Sequence, residues 1–172
     1  MVLYYFSAGD YQEEDNNSET GDLYFGLEVM RNIERAKEMF LRVLWSHLNT
    51  PYIYGGDDFS AFDCSGLTIE GLQAIGLFPS GADATADGLW HRFKSDEVNK
   101  ATEGCLLFWF NKESRAYHMA VAVDPEHCIT ADGGGSKILT VQDAIEQNAY
   151  IKVRRIDHRK TFPRIINIFQ ED

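Results

Sequence analysis

The segment 51–67, PYIYGGDDFSAFDCSGL, constrains the fold of this chain more than any other stretch of its sequence. A pair of glycines at 55–56 is followed by the tetrapeptide DCSG at 63–66 and then by an apolar run. Glycine lets the backbone turn sharply, and the apolar periodicity after Cys64 predicts a helix that begins at this residue. We therefore expect the loop before Cys64 to double back against the helix start, where small neighbours leave the sulfur accessible.

A cysteine in the first turn of a helix lies where unpaired backbone N–H groups and the positive end of the helix dipole converge. Both favour the thiolate, so the pattern predicts a lowered pKa and a nucleophilic sulfur at Cys64. The same N–H groups can bind the oxyanion that forms when a carbonyl carbon is attacked. The segment therefore predicts an activated thiol.

A thiol nucleophile also needs a base, and the chain offers five histidines. His118 is favoured, because it starts an apolar strand directly after the loop 111–117 and can therefore face a cleft from the edge of a sheet. The other four histidines lie at a helix end, in an aromatic helical stretch, in a turn and in a basic tail segment: His47, His91, His127 and His158.

Helical periodicity dominates the first part of the chain, and apolar runs of strand length dominate the second. The pattern predicts helices over 28–48, 64–75, 83–93 and 140–147. It predicts strands over 105–110, 118–123, 127–131, 150–156 and 165–169. This order indicates an α+β fold in which N-terminal helices pack on a mostly antiparallel sheet. A polar, acidic stretch before the first helix predicts an N-terminal arm over 1–27 and one domain over 28–172.

Charge and cysteine content limit the classes of partner. The chain carries 27 acidic and 16 basic residues, and this net charge of −11 disfavours nucleic acids and anionic membranes as main partners. No apolar run approaches the roughly 20 residues of a membrane span, and no signal peptide is seen. The three cysteines show no zinc-site spacing, and we expect Cys105 and Cys128 to be core thiols.

Three segments in this order, TPYIYGG at 50–56, FDCSGL at 62–67 and YHMAVAVD at 117–124, resemble the NlpC-type family of cell-wall cysteine peptidases. The resemblance spans roughly residues 41–156. It implies a small papain-like fold and hydrolysis of an amide bond in peptidoglycan stem peptides through a Cys–His acyl-enzyme mechanism. In this family the bond is most often the γ-linkage after D-glutamate, and no cofactor or metal is implied.

The resemblance also implies roles for individual residues. Cys64 corresponds to the nucleophile and His118 to the base, and the Cys64 backbone N–H would contribute to the oxyanion hole. Tyr52 corresponds to a tyrosine whose hydroxyl lines the site. Asp63 is expected to anchor the turn rather than to act chemically.

The family's third polar residue, which orients the imidazole, is usually histidine and sometimes asparagine, glutamine or aspartate. Here Thr130 stands at that position, which is a departure from the pattern. A threonine hydroxyl can accept an imidazole N–H but offers less electrostatic support. Asp132, two residues further on the same strand face, is the alternative on chemical grounds, and His127 is the third candidate.

Two alternative functions stay open at this point. The departure at Thr130 permits a catalytically weak or inactive structural or binding component of a phage-like assembly, and the same fold permits an amidase or acyltransferase. Free-standing domains of this size resemble those of phage-like tail and lysis modules. We therefore expect synthesis in the cytoplasm, followed either by incorporation into a virion or by delivery to the cell wall by a non-Sec route. The arm over 1–27 would then dock on other tail or virion proteins.

Overall fold

The computed structural model describes the backbone of residues 18–170 and the side chains of residues 30–170. The helices of this range are α1 (Ser18–Ser46), α2 (Cys64–Ala74), α3 (Ala86–Phe93) and α4 (Val141–Glu146). The strands of this range are β1 (Asp57–Asp58), β2 (Ala61–Phe62), β3 (Glu97–Val98), β4 (Leu106–Phe110), β5 (Ala116–Ala122), β6 (His127–Asp132), β7 (Tyr150–Arg155) and β8 (Arg164–Ile166). Within these bounds, no helix has both the length and the apolar composition of a membrane span.

Six of the strands form one antiparallel sheet in the order β3-β8-β4-β5-β6-β7. In this sheet, Trp109 of β4 lies opposite His118 of β5, and Val121 of β5 lies opposite Ile129 of β6. The strands β1 and β2 form a separate small ladder directly before α2. The arrangement confirms the predicted α+β class with a mostly antiparallel sheet.

The strand β4 is buried on both faces, because its side chains alternate between two apolar clusters. Leu106 and Phe108 pack on one face with residues of α1, α2 and α3. Leu107 and Trp109 pack on the other face. This second cluster also contains the two predicted core thiols, Cys105 and Cys128, both fully buried. The sheet therefore carries the helices on one side and positions the strands β5 and β6 against the start of α2.

The first helix is longer than the sequence predicts. It begins at Ser18 rather than at residue 28, so that residues 18–27 of the predicted arm are helical. Residues 1–17 lie outside the described part of the chain. The division into an arm over 1–27 and a domain over 28–172 stays a prediction.

Two further element bounds differ from the prediction and affect the site. The helix α3 begins at Ala86 rather than at residue 83, because the Thr85 side chain accepts the Gly88 N–H and caps the helix there. The strand β5 begins at Ala116, so that His118 lies within the strand instead of at its start. The backbone that carries the imidazole is therefore fixed by pairing with Trp109 of β4.

The loop before α2 lies directly against the start of this helix, as predicted. The Asp63 N–H donates to the Gly56 carbonyl oxygen at 2.9 Å. A Cβ on Gly66 would overlap this same oxygen, and a Cβ on Gly56 would lie 2.7 Å from the Ala61 carbonyl oxygen. Only glycines let two backbone segments approach this closely. Their contact fixes the position of Cys64 at the first turn of α2.

Candidate active site

The Asp63 side chain holds the start of α2 in place. Its Oδ1 accepts the Ser65 N–H at 2.9 Å and the Gly66 N–H at 2.8 Å, and its Oδ2 accepts the Gly55 N–H at 3.1 Å. The carboxylate therefore caps the helix and ties it to the glycine turn. This is the anchoring contact expected from the sequence.

Cys64 lines the cavity at the start of α2, but its thiol is not acidified. Burial, together with the charge of Asp63, raises the pKa of Cys64 to about 12. The backbone N–H groups of Met119 and Ser65 act in the opposite direction without outweighing burial. The predicted lowering of the thiol pKa is therefore wrong. The physical reason is that the helix start is desolvated and already capped by a carboxylate, which offsets the helix dipole.

His118 is buried, lines the same cavity as this thiol and prefers its neutral form. Burial lowers the pKa of His118 well below its usual value, and the charge of Arg159 lowers it further. Because the pKa values of Cys64 and His118 shift in opposite directions, the resting protein holds a neutral thiol and a neutral imidazole. A neutral imidazole is the form that can accept a proton.

Thr130 orients the imidazole through its hydroxyl. The His118 Nε2 lies 3.0 Å from the Thr130 Oγ1, and this hydroxyl also lies 3.4 Å from the Met119 carbonyl oxygen. Because the carbonyl can only accept, the hydroxyl donates to it and accepts the Nε2–H of His118. This assigns the remaining proton of the neutral ring to Nε2. The Nδ1 nitrogen therefore keeps its lone pair and is free to act as a base.

The two other candidates for the orienting residue do not contact His118. The Asp132 Oδ1 accepts a hydrogen bond from the Arg159 Nη2 at 2.7 Å. His127 lies at the far end of β6, where its Nδ1 is 2.9 Å from the Asp124 Oδ2. The structure therefore brings only Thr130, among the three residues considered, to the imidazole.

Tyr52 is buried and lines the same cavity as Cys64 and His118. Burial raises the pKa of its hydroxyl, so that this group is a neutral hydrogen-bond donor. Its ring packs against Gly133, where a Cβ would lie 2.9 Å from the ring carbon Cδ1 and 2.5 Å from the Ala149 Cβ. The first glycine of the 133–135 turn is therefore required for the position of the tyrosine.

These residues surround one cavity of about 490 Å³. Its wall includes four residues already described and one that the sequence analysis did not identify: Tyr52, Cys64, His118, Asp132 and Arg159. Arg159 lies on the segment after β7, which reads as a basic tail in the sequence. This segment folds back onto the sheet, where the Trp109 Nε1 donates to the Thr161 carbonyl oxygen at 2.9 Å. No local sequence signal predicts this long-range contact.

Across residues 18–170, no three or more His, Cys, Asp or Glu side chains form a cluster that could hold a metal ion.

Comparison with known proteins gives one family and several similar folds. The sequence profile of the NlpC/P60 family matches residues 49–155. Protein P54 of Enterococcus faecium is 32% identical over 95 residues, which cover 55% of this chain and 18% of that protein. The chain therefore spans less than a fifth of the length of this relative.

Solved structures of the same fold include the NlpC/p60 domain of the peptidoglycan hydrolase SagA, with a TM-score of 0.55 and 22% identity over 77% of this chain and 98% of that one. The P60 domain of the Mycobacterium avium subspecies paratuberculosis antigen MAP1204 gives a TM-score of 0.60 and 17% identity over 81% and 98% of the two chains. The peptidoglycan hydrolase RipB of Mycobacterium tuberculosis gives a TM-score of 0.59 and 18% identity over 82% of this chain and 68% of that one. At these identities the similarity establishes the fold.

Proposed function

The chain belongs to the NlpC/P60 family, and from this premise we propose that it is a cysteine peptidase that cleaves an amide bond in peptidoglycan stem peptides. Membership of this family supports a cell-wall hydrolase function, and two proteins of the same fold, SagA and RipB, are peptidoglycan hydrolases. The observation that carries the proposal is the pairing of His118 with Thr130, which leaves Nδ1 of the ring free in the cavity that Cys64 lines.

In the proposed reaction, the Nδ1 of His118 removes the thiol proton while the Cys64 sulfur attacks the carbonyl carbon of the scissile amide. The oxyanion that forms accepts the Cys64 backbone N–H, which has no partner within its own helix. The His118 imidazolium then protonates the leaving nitrogen, and the carbon–nitrogen bond breaks. Water activated by His118 attacks the thioester and releases a carboxylic acid and the free thiol.

The neutral resting pair determines how this reaction starts. Because burial disfavours both the thiolate and the imidazolium, the proton moves from Cys64 to His118 as the carbon–sulfur bond forms rather than before it. The hydroxyl of Thr130 holds the ring in the tautomer that this transfer needs. Tyr52 contributes a neutral hydroxyl to the cavity wall.

Zymography on purified cell-wall sacculi tests the proposal. The wild-type protein should clear the sacculi, and the Cys64→Ala variant should not. The matched control is Cys128→Ala, which makes the same chemical change at a buried thiol outside the cavity and should still clear. Equal clearing by the wild type and Cys64→Ala, or no clearing by either, contradicts the proposal.

Mass analysis of the released fragments identifies the reaction. New amino and carboxyl termini within the stem peptide indicate the peptidase, whereas release of the whole stem from the glycan indicates an amidase. Transfer of the acyl group to an added amine indicates an acyltransferase on the same fold.

A binding component without turnover is the second candidate, and the raised pKa of the Cys64 thiol favours it. In that case, the wild type and Cys64→Ala should sediment with sacculi to the same extent, and neither should clear them. Incorporation into a virion, with docking through residues 1–27, stays a prediction. Detection of the chain in purified particles, and its loss when this segment is deleted, tests it.

A further inference from the structure

Arg159 is held rigidly in the wall of the cavity. Its guanidinium lies over the rings of Trp109, at 5.7 Å from the centroid, and Tyr117, at 5.9 Å. Its side chain is only 23% exposed, and it lies outside the family-matched residues 49–155. Arg159 therefore belongs to a C-terminal segment that the family profile does not cover, and contacts within the protein hold it in place.

The Asp132 carboxylate does not neutralise the positive charge around it. Arg159 binds its Oδ1 at 2.7 Å, and the Arg154 Nε lies 3.7 Å from its Oδ2. His158, the third neighbour of this carboxylate, is uncharged because burial lowers its pKa. One carboxylate thus faces two guanidinium groups, and this three-residue cluster keeps one positive charge. Of the two arginines, only Arg159 lines the cavity within the described residues.

Of the other charged groups of the cavity wall, Glu113 is exposed to solvent, and the remaining three have partners. Asp63 caps α2, and the Asp87 Oδ1 accepts the Ala116 N–H at 2.8 Å. Arg115, the second cation of the wall, is 70% exposed and lies 3.7 Å from the Asp87 Oδ2. Arg159 is therefore the less exposed of the two wall cations. Among the described residues, the Nη2–Asp132 contact is its one hydrogen bond.

Arg159 lines the same cavity as the reacting groups. Its charge lowers the pKa of both Cys64 and His118, which requires that its field reach both side chains across the cavity. A guanidinium presents several N–H donors in a planar fork that matches a carboxylate. The Nε of Arg159 is buried, so the terminal N–H donors not used by Asp132 are those that can bind an anion beside the scissile amide.

We propose that Arg159 binds a carboxylate of the substrate and selects a residue with a free α-carboxylate over the same residue with a carboxamide. The inference rests on the proposed function, because that function places the scissile amide at Cys64. When the attacked carbonyl belongs to a γ-linked D-glutamyl residue, the α-carboxylate of that residue is free and lies a few bonds away. Arg159 is then a specificity-determining residue of the cavity.

Calorimetric binding to the Cys64→Ala variant tests this without turnover. The probes are L-alanyl-γ-D-glutamyl-L-lysine and the same peptide with the glutamyl α-carboxylate replaced by a carboxamide. The carboxylate peptide should bind about tenfold more tightly, as expected for one hydrogen bond between charged groups. Adding Arg159→Gln should bring the ratio close to one by weakening only the carboxylate peptide.

Arg154→Gln in the same background is the matched control. It removes the other guanidinium from Asp132, does not alter the cavity wall, and should keep the preference for the carboxylate peptide. Arg159→Lys, which retains the charge without the planar fork, should keep part of the preference. This result would show that the loss in Arg159→Gln comes from the missing charge and not from a folding defect.

Equal affinity of Cys64→Ala for the two peptides, no binding of either, or an undiminished preference in Arg159→Gln overturns the inference. Cleavage of the same peptides by the wild-type protein is measured separately. A protein that discriminates between the peptides but cleaves neither contradicts the proposed reaction and leaves the role of Arg159 supported. A protein that cleaves both at equal rates with equal affinity supports the reaction and overturns the role of Arg159.

Discussion

At the scale of single residues, Thr130 decides how the imidazole is used. Its hydroxyl is a neutral group, and it accepts the Nε2–H of His118 at 3.0 Å. A neutral partner orients the ring without stabilising an imidazolium. This agrees with the lowered pKa of His118 and with a resting pair that carries no charge.

Replacement of Thr130 by valine should reduce kcat/KM on wall fragments by about 10- to 100-fold, because the Nε2–H loses its acceptor and the tautomer is no longer fixed. The change should also lower stability by about 1–3 kcal/mol, since a buried donor is left unpaired. Thr130→Ser keeps the hydroxyl and should retain most activity. Full activity in Thr130→Val would show that the hydroxyl has no part in the reaction.

The raised thiol pKa gives a second prediction. Alkylation of Cys64 by iodoacetamide should be slow near pH 6 and should increase about tenfold per pH unit between pH 7 and 9, because only the thiolate reacts and the pKa is about 12. Mass spectrometry of tryptic peptides follows each thiol, with buried Cys105 and Cys128 as internal controls. Rapid alkylation at pH 6 with no pH dependence is inconsistent with a neutral thiol.

The sequence predicts which residues meet in the cavity better than it predicts their ionisation. Cys64, His118 and Thr130 follow from ordered local motifs, since each motif also fixes the start of a helix or the face of a strand. The pKa of Cys64 depends on desolvation by the sheet, which no local pattern encodes. Arg159 depends on the contact between Trp109 and Thr161, which are 52 residues apart.

At the scale of elements, the start of α2 depends on contact between two backbone segments. The Gly56 carbonyl oxygen occupies the space that a side chain on Gly66 would need, and it also accepts the Asp63 N–H. The nucleophile is therefore placed by a helix start that cannot move away from its loop.

Gly66→Ala should accordingly lower the free energy of unfolding by about 1–3 kcal/mol, because backbone must shift to admit the methyl group. Gly88→Ala, in α3, is the matched control. Its Cβ would make ordinary contacts of 3.5 and 3.6 Å, so helix propensity should raise stability by about 0.5–1 kcal/mol. Urea unfolding measures both changes. Wild-type stability in Gly66→Ala would show that the loop carrying the Gly56 carbonyl can shift at little cost in free energy.

Periodicity predicts the elements with a continuous apolar pattern and fails for the two-residue strands. The helix α2 and the strands β4 and β6 lie within one or two residues of their predicted bounds, because each has a continuous apolar pattern. The strands β1, β2 and β3 have two residues each, which is too short to show an alternating apolar pattern in the sequence. The order of the sheet also could not be predicted, since β8 pairs with β4 from the far end of the sequence.

At the scale of the whole molecule, the buried histidines link stability to pH. Burial lowers the pKa values of His47, His118 and His158 in the folded protein. The unfolded chain therefore binds more protons than the folded one below the usual histidine pKa of about 6.5. Stability is fully present above this value and is lost as the pH falls from it toward the lowered folded pKa values.

The melting temperature should consequently be several degrees lower at pH 5 than at pH 7.5. Carboxylates with lowered pKa values add to the loss only at still lower pH, where they begin to take up protons. Differential scanning calorimetry measures the difference, and His47→Gln, outside the cavity, should reduce it. An identical melting temperature at both pH values would exclude this linkage.

Met119 gives the site a property that sequence comparison cannot register. Its amide N–H acts on the Cys64 sulfur and its carbonyl accepts the Thr130 hydroxyl, so one amino acid joins nucleophile and orienting group through atoms that all twenty amino acids except proline share. Replacement of Met119 by leucine would keep both backbone contacts, and replacement by alanine would report only the loss of its fully buried side chain from the core. Only chemical editing of the main chain, such as an ester in place of this amide, would make its contribution visible.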